Sequence, residues 1–391
     1  MKRLLPLLLG TLIILIGSTI TFGQSDLQIF GFFQTTLTKL NGGYSVVSEV
    51  PPSIFGTSQL TLDQQQNDYL SPSVQQLNIF ARKEIDQNFT AWVNLEITGT
   101  YNSRLNWGGL TLQEAWVNYQ SSDALNIKAG ILVPRFAYLN EIKNKMPLLP
   151  YIFRPLAYES SVQNINDEDY VPQRAFLQVF GNLSSGNIIF DYAAFVGPSE
   201  SSYISSNVVG GYSVDTTDFK LFGARVGLKY KDLGFGISGT SDKSNQKSTI
   251  KQSVPRTRLA FDLEYSAYNF FLNSEYIAIH LSPQNTTQNL DKLFYYGTLG
   301  YNFNDNLLAY GSYSYITVYD DLNGQIAKAG MKSLTFGLDY KPTSAVVLKA
   351  SVSHFYGSSN VNLVLNPSLP AFNTDVDVNI RVAQLAVSVL F

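Results

Sequence analysis

Beyond its first two dozen residues the chain alternates apolar and polar side chains with a period of two, a pattern that suits strands and not helices. In Phe89-Thr-Ala-Trp-Val-Asn-Leu-Glu-Ile97, the residues Phe89, Ala91, Val93, Leu95 and Ile97 share one face, and Thr90, Asn94 and Glu96 the other. In Arg258-Leu-Ala-Phe-Asp-Leu-Glu-Tyr265, Leu259, Phe261, Leu263 and Tyr265 oppose Arg258, Asp262 and Glu264, and Leu334-Thr-Phe-Gly-Leu-Asp-Tyr340 repeats the pattern. No downstream stretch reaches the roughly 18 uncharged apolar residues of a helical span. A membrane form of this chain must therefore be a closed barrel, the other structure that satisfies its own backbone in lipid.

Composition fits one face turned to lipid. Charged residues are 15% of the chain, against about 25% in soluble domains. Lys+Arg 27 against Asp+Glu 30 leaves −3 with no basic block, which argues against a nucleic-acid partner. No Cys and two His exclude disulfide scaffolds and thiol catalysis, and leave little for a metal site; no metal and no cofactor are expected.

Lys2 and Arg3, an apolar run from Leu4 to Ile16, and small residues near Thr21 and Gly23 read as a signal peptide over 1–23. Pro6, Gly10 and Gly17 interrupt the run, and no basic cluster follows it, so an uncleaved helix is disfavoured. The mature domain is then 24–391, exported and two charges more negative than −3.

Connections alternate in length. Short turns are expected at 85–88, 121–124, 184–187, 231–234, 267–269, 303–306 and 342–345, each rich in Asn, Asp, Gly, Ser or Pro. Between them lie polar stretches such as 41–73, 101–109, 197–219, 243–256, 320–331 and 357–376. The count gives an all-β, transmembrane antiparallel β-barrel of sixteen strands, with both termini on the short-turn side and the long loops extracellular. A β-sandwich also alternates, but nothing in it requires strict long–short alternation. Phe89, Tyr119, Tyr230, Phe235, Tyr265, Phe270, Tyr301 and Tyr340 fall near the short turns and mark an aromatic rim.

Phe391 is preceded on its own face by Val389, Val387, Leu385 and Ala383. The ending resembles the carboxy-terminal assembly signal of outer-membrane proteins, which implies delivery to the barrel-assembly machinery; Val389 stands where Tyr is common. Arg381 shares the lipid parity, so a bulge near Val382 or a place above the membrane is expected, since charge at the midplane costs about 2–4 kcal/mol.

Sixteen strands leave an aqueous channel unless something fills it. The polar parity puts Arg82, Glu96, Glu114, Lys128, Arg174, Asp191, Arg225, Lys229, Arg258, Asp262, Glu264, Glu275, Asp339 and Lys349 on the pore wall. Acids and bases balance there, which predicts weak ion selectivity. The third long connection, 133–172, carries Pro134, Pro147, Pro150, Pro155 and Pro172, with too many apolar residues for a solvated loop. It is expected to fold inward as the constriction loop, with a short helix from Ala137 to Lys145, presenting Arg135, Glu141, Lys143, Lys145, Arg154 and Glu159 to the wall.

Leu112-Gln-Glu-Ala-Trp-Val-Asn-Tyr119, Leu125-Asn-Ile-Lys-Ala-Gly-Ile-Leu-Val-Pro134, Asn140-Glu141 and Arg154-Pro-Leu156 together resemble Bacteroidota-type outer-membrane porins of the phosphate-selective-porin-like group. The resemblance covers roughly 112–159. It implies a sixteen-stranded, homotrimeric pore in the outer membrane of a Gram-negative-type bacterium, embedded in lipid and passing small hydrophilic solutes and ions. The mixed wall lacks the cationic pathway of phosphate-specific members, so that specificity is not carried over.

The expected function is passive diffusion with weak charge selectivity. Alternatives are a substrate-selective porin for anions or sugars, and a closed barrel serving as receptor or scaffold. No enzyme is expected: His280 and His354 are the only imidazoles, and both sit on the lipid parity with no local Ser or Asp partner evident. Asn166-Asp-Glu-Asp169 reads as an exposed acidic stretch, lacking the spacing and Gly of a calcium loop.

Overall fold

The computed structural model describes residues 27–49, 59–65, 69–102, 106–159, 167–198, 220–245, 253–282, 290–322, 325–363 and 372–391. The signal segment 1–23 lies outside them. Seventeen strand elements follow in order: β1 (Gln28–Glu49), β2 (Gln59–Gln65), β3 (Leu70–Glu84), β4 (Phe89–Asn102), β5 (Asn106–Ser122), β6 (Leu125–Leu132), β7 (Ala175–Ser185), β8 (Ile188–Pro198), β9 (Lys220–Tyr230), β10 (Leu233–Asn245), β11 (Ser253–Ala267), β12 (Phe270–Leu281), β13 (Leu290–Asn304), β14 (Leu307–Leu322), β15 (Gln325–Thr343), β16 (Val346–Leu363) and β17 (Phe372–Leu390).

Each strand pairs antiparallel with its neighbours, and β17 returns to β1 from Phe32↔Leu390 to Glu49↔Asn373. β2 and β3 lie end to end along β1, opposite Gly43–Glu49 and Gln28–Lys39 respectively, so the seventeen elements form sixteen strands of one closed barrel. The seven expected short turns all join neighbouring strands.

Several polar stretches expected as loops are strand instead. β14 and β15 pair out to Leu322↔Gln325, and β16 and β17 to Leu363↔Phe372. Crossing lipid takes about 9–11 residues of tilted strand, whereas β1 has 22 and β17 has 19. The surplus lies at the end of the long connections, where β14–β15 and β16–β17 go on pairing. There the apolar alternation fades while the backbone ladder continues.

The barrel is inside-out relative to a soluble domain. Leu259, Phe261, Phe336 and Leu338 are exposed on the outer face, while Arg258, Asp262, Thr335 and Asp339 between them are buried. In water such an exposed apolar wall would be unfavourable by about 25 cal/mol per Å². Lipid removes that cost. Aromatic pairs such as Phe89–Tyr119 (5.0 Å) and Phe270–Tyr301 (4.7 Å) stand beside the short turns, and Tyr295–Tyr315 (5.3 Å) belongs to the opposite rim.

The bulge expected near Val382 is not there: β17 keeps one register with both neighbours. Arg381 is exposed, ten residues above Phe391. At about 3.3 Å per residue and a tilt of about 40°, that is a rise of about 25 Å, the height of the apolar band. The guanidinium therefore reaches the outer edge without a break in the strand.

Candidate functional site

The segment between β6 and β7 binds the inner wall at many points. Its expected helix from Ala137 to Lys145 is a run of turns. Ile142 N–H donates to the Leu139 carbonyl (3.1 Å) and Lys145 N–H to that of Ile142 (2.8 Å), and Ala137 has φ 53°. Wall groups take two of the amides: Ser238 Oγ of β10 accepts from Ala137 (3.0 Å) and Glu275 of β12 from Leu139 (2.6 Å). Asn140 Nδ2 donates to the carbonyls of Pro134 (3.0 Å) and Pro172 (2.9 Å), tying the two ends of the segment together.

The other anchors come from all round the barrel. The Tyr158 hydroxyl donates to Glu275 (2.6 Å) and the Tyr151 hydroxyl to Thr298 of β13 (2.8 Å). Lys349 of β16 donates to the carbonyls of Met146 (2.7 Å), Leu149 (2.5 Å) and Tyr151 (3.3 Å). From β3, Gln76 donates to the Asn144 carbonyl (2.9 Å). Beneath these bonds lies an apolar contact: Phe136, Leu139, Leu156 and Tyr158 join Ile277, Phe294, Tyr296 and Phe355 in one buried cluster. Each fully buried large side chain contributes about 1.5–3 kcal/mol, against about 1 kcal/mol for a neutral hydrogen bond. Apolar packing therefore holds the segment, and the hydrogen bonds set its position.

Of the six charged residues expected to face the wall, four pair with one another. Arg135 meets Glu141 at 3.2 Å and Arg154 meets Glu159 at 3.4 Å. Lys143 is buried and donates to Asn140 (3.0 Å) and Gln173. Lys145 is half-buried.

The expected wall residues fall into three groups. Glu96, Arg225, Arg258, Asp262, Glu275, Asp339 and Lys349 are buried, while Glu114, Lys128, Asp191 and Glu264 are half-buried. Arg82 pairs with Glu84 near a short turn (2.7 Å), and Lys229 is exposed near another. Arg174 departs from expectation: it precedes the first residue of β7 and is exposed. A register shift between Ala129 and Leu132, opposite the start of β7, breaks the parity that placed it on the wall.

Part of the wall charge is already neutralised. Arg225 spans Asp191 (3.6 Å) and Asp262 (2.7 Å). Gly236 makes room for it, since a Cβ there would overlap both the guanidinium and the Asp262 carboxylate. A second network was not legible as wall, because Asp242 and Arg256 border a polar stretch read as loop. Arg256 donates to Asp242 and Asp169 (both 2.9 Å), and Lys292 donates to Asp169 (2.7 Å). Asp169 is thus buried rather than exposed, and its partners are cations of the wall. Burial pushes its carboxyl up, but Lys292 and Arg256 outweigh burial and hold it below the ordinary carboxylate range.

On the β3–β7 side the inner face differs. Gln76, Asn78 and Asn94 form a ladder of amides ending on Glu96. Phe30, Phe80, Trp92 and Trp116 stack in series, with neighbouring centroids 5.1–5.8 Å apart. These rings share the parity of Gln76, Asn94 and Glu96, so alternation alone could have placed them inside. Beside them Lys128 lies over Trp116 (4.4 Å) and Phe180 (5.3 Å), and Arg135 over Phe180 (4.3 Å). Glu141, Glu114, Arg135 and Lys145 add their fields at Lys128.

The rim holds an arrangement the sequence did not suggest. His280 Nδ1 lies 2.6 Å from Asp291 on the paired strand, and His280 Nε2 lies 2.9 Å from Ser282 Oγ. Both acid and imidazole are well exposed, and the Ser282 amide donates to the Pro255 carbonyl (3.0 Å), which removes it as an oxyanion donor. His354 is 2.9 Å from Asn379.

No family model and no curated protein matches the chain. Among solved structures it is similar to the outer-membrane channel DcaP of Acinetobacter baumannii, with TM-score 0.56 and 12% identity over 95% of this chain and 99% of that one. An anion-selective porin from Comamonas acidovorans gives 0.51 and 13% over 92% and 99%. OmpT, an outer-membrane protein of Vibrio cholerae, in its trimer form gives 0.53 and 12% over 94% and 99%. At these identities the likeness establishes the fold: a closed sixteen-stranded barrel of the outer-membrane porin type.

Proposed function

We propose that the chain is an outer-membrane porin, a passive diffusion channel for small hydrophilic solutes and ions with weak charge selectivity. The observation that carries this reading is the division of the inner wall. The described parts of the segment between β6 and β7 make their larger apolar contact with β11–β16 and touch β3 through Met146 and the Gln76 amide, which leaves the half-buried Glu114, Lys128, Asp191 and Glu264 as polar lining of a narrowed lumen. Pairing of Arg225, Arg256 and Arg258 with Asp191, Asp242 and Asp262, beside a near-balance of the remaining acids and bases, supports weak selectivity. On this reading the segment is the constriction loop, the protein assembles as a homotrimer in outer-membrane lipid, and the Phe391 end engages the barrel-assembly machinery. Kinship with the phosphate-selective-porin-like group belongs to the same proposal, without phosphate specificity.

Planar-bilayer recording across a salt gradient tests it. Stepwise conductance with a small reversal potential is expected. A folded sample that inserts but passes no current would support a closed receptor or scaffold, and a large reversal potential would support a selective porin.

The Ser282–His280–Asp291 contacts favour one second reading, an ester hydrolase at the rim. Without a preorganised oxyanion site little acceleration is expected. Hydrolysis of p-nitrophenyl esters should be equal in the wild type and in Ser282→Ala. A loss confined to the variant would establish the enzyme.

A further inference from the structure

We infer that Lys128, the rings of Trp116 and Phe180, and the Gln178 amide form a binding subsite for small aromatic carboxylates on the inner wall. The inference rests on the channel reading only for how the solute arrives.

Strand pairing brings the two polar groups together: Lys128 of β6 is in register with Gln178 of β7. Lys128 makes no ion pair among the described residues; two aromatic faces hold its ammonium instead, at 4.4 and 5.3 Å. Ring faces carry no formal charge, so they hold the ammonium without the ion pair that would occupy it. Gln178 supplies the second observation. It is fully buried, and its Oε1 accepts the Arg135 amide (2.9 Å), which fixes the orientation of its side chain. Nε2 is then an N–H donor left without a partner, as is Nε1 of Trp92, whose ring stacks on Trp116. Buried donors left unsatisfied are costly, and an anion supplies the acceptors that Gln178 Nε2 and Trp92 Nε1 lack.

The ligand chemistry follows from these groups. A carboxylate takes the ammonium and the amide N–H together, and a flat apolar body lies along the Trp92–Trp116 stack.

The test is equilibrium titration of the detergent-folded protein, read by tryptophan fluorescence in a Trp107→Phe background so that Trp92 and Trp116 report. Benzoate should quench saturably, and more tightly than acetate, which lacks the ring, or benzamide, which lacks the charge. Lys128→Gln should weaken benzoate about tenfold, equivalent to about 1.4 kcal/mol, with partial recovery in Lys128→Arg. Gln178→Glu keeps the acceptor for Arg135 and the volume, and should abolish benzoate binding by repulsion. No saturation in the wild type, equal affinity for benzamide, or unchanged benzoate affinity in both Lys128→Gln and Gln178→Glu would overturn the site. Saturable benzoate binding by a protein that passes no current would defeat the channel reading and leave the subsite standing.

Discussion

Replacing Arg256 with alanine should lower the free energy of unfolding by about 3–5 kcal/mol, the usual result of removing one partner from a buried ion pair. The guanidinium is 1% exposed and is shared between Asp242, itself fully buried, and Asp169. Its loss leaves the two carboxylates with Lys292 and Arg258 as compensation: Lys292 reaches only Asp169, and Arg258 lies 3.6 Å from Asp242. Reversible urea unfolding of the detergent-folded protein measures the change. Arg256→Lys keeps the charge but not the two-pronged geometry, and should recover part of the loss. A change under about 1 kcal/mol for alanine, the range of exposed pairs, would mean that water reaches this network freely.

Deletion of residues 137–156 should raise single-channel conductance severalfold. That stretch carries Tyr151 and the carbonyls bound by Lys349, and its removal takes away most of the material packed against β11–β16. The same deletion bares Ile277, Phe294, Tyr296 and Phe355 to water, so a less stable but wider barrel is the expected product. A milder variant, Lys349→Met, leaves the apolar contact in place and should increase current noise more than mean conductance. Unchanged conductance in a folded deletion variant would remove the segment from any account of the passage.

The barrel was legible from the sequence because side-chain parity and turn chemistry are local. Leu259 and Phe261 against Arg258 and Asp262 need no knowledge of the rest of the chain, and the seven short turns announce themselves in Asn, Asp, Gly and Ser. The site was legible only in part. Arg174 was misplaced because one irregularity opposite Ala129–Leu132 reverses parity; its local mark is Gly130, which takes φ 129°. Asp242 and Arg256 were missed because polarity was read as loop, although a strand that extends above the membrane tolerates polar residues on both faces. Asp169 looked exposed for the same reason that His280 looked unpartnered: the groups that meet them, Arg256 and Lys292 in one case and Asp291 in the other, are assembled by strand pairing rather than by spacing.

The seam between β1 and β17 has a kinetic consequence. Gly31 and Phe391 exchange both backbone bonds there (2.8 and 3.0 Å), with the Phe391 ring so close that a Cβ on Gly31 would lie 2.8 Å from its Cζ. No two strands are farther apart in the chain, so the ring is closed by the contact of longest sequence separation, which folds slowest. Until then the growing sheet carries two unpaired edges, each able to capture another strand. The lifetime of that open sheet, more than the stability of the finished ring, sets how much of the chain aggregates before it closes.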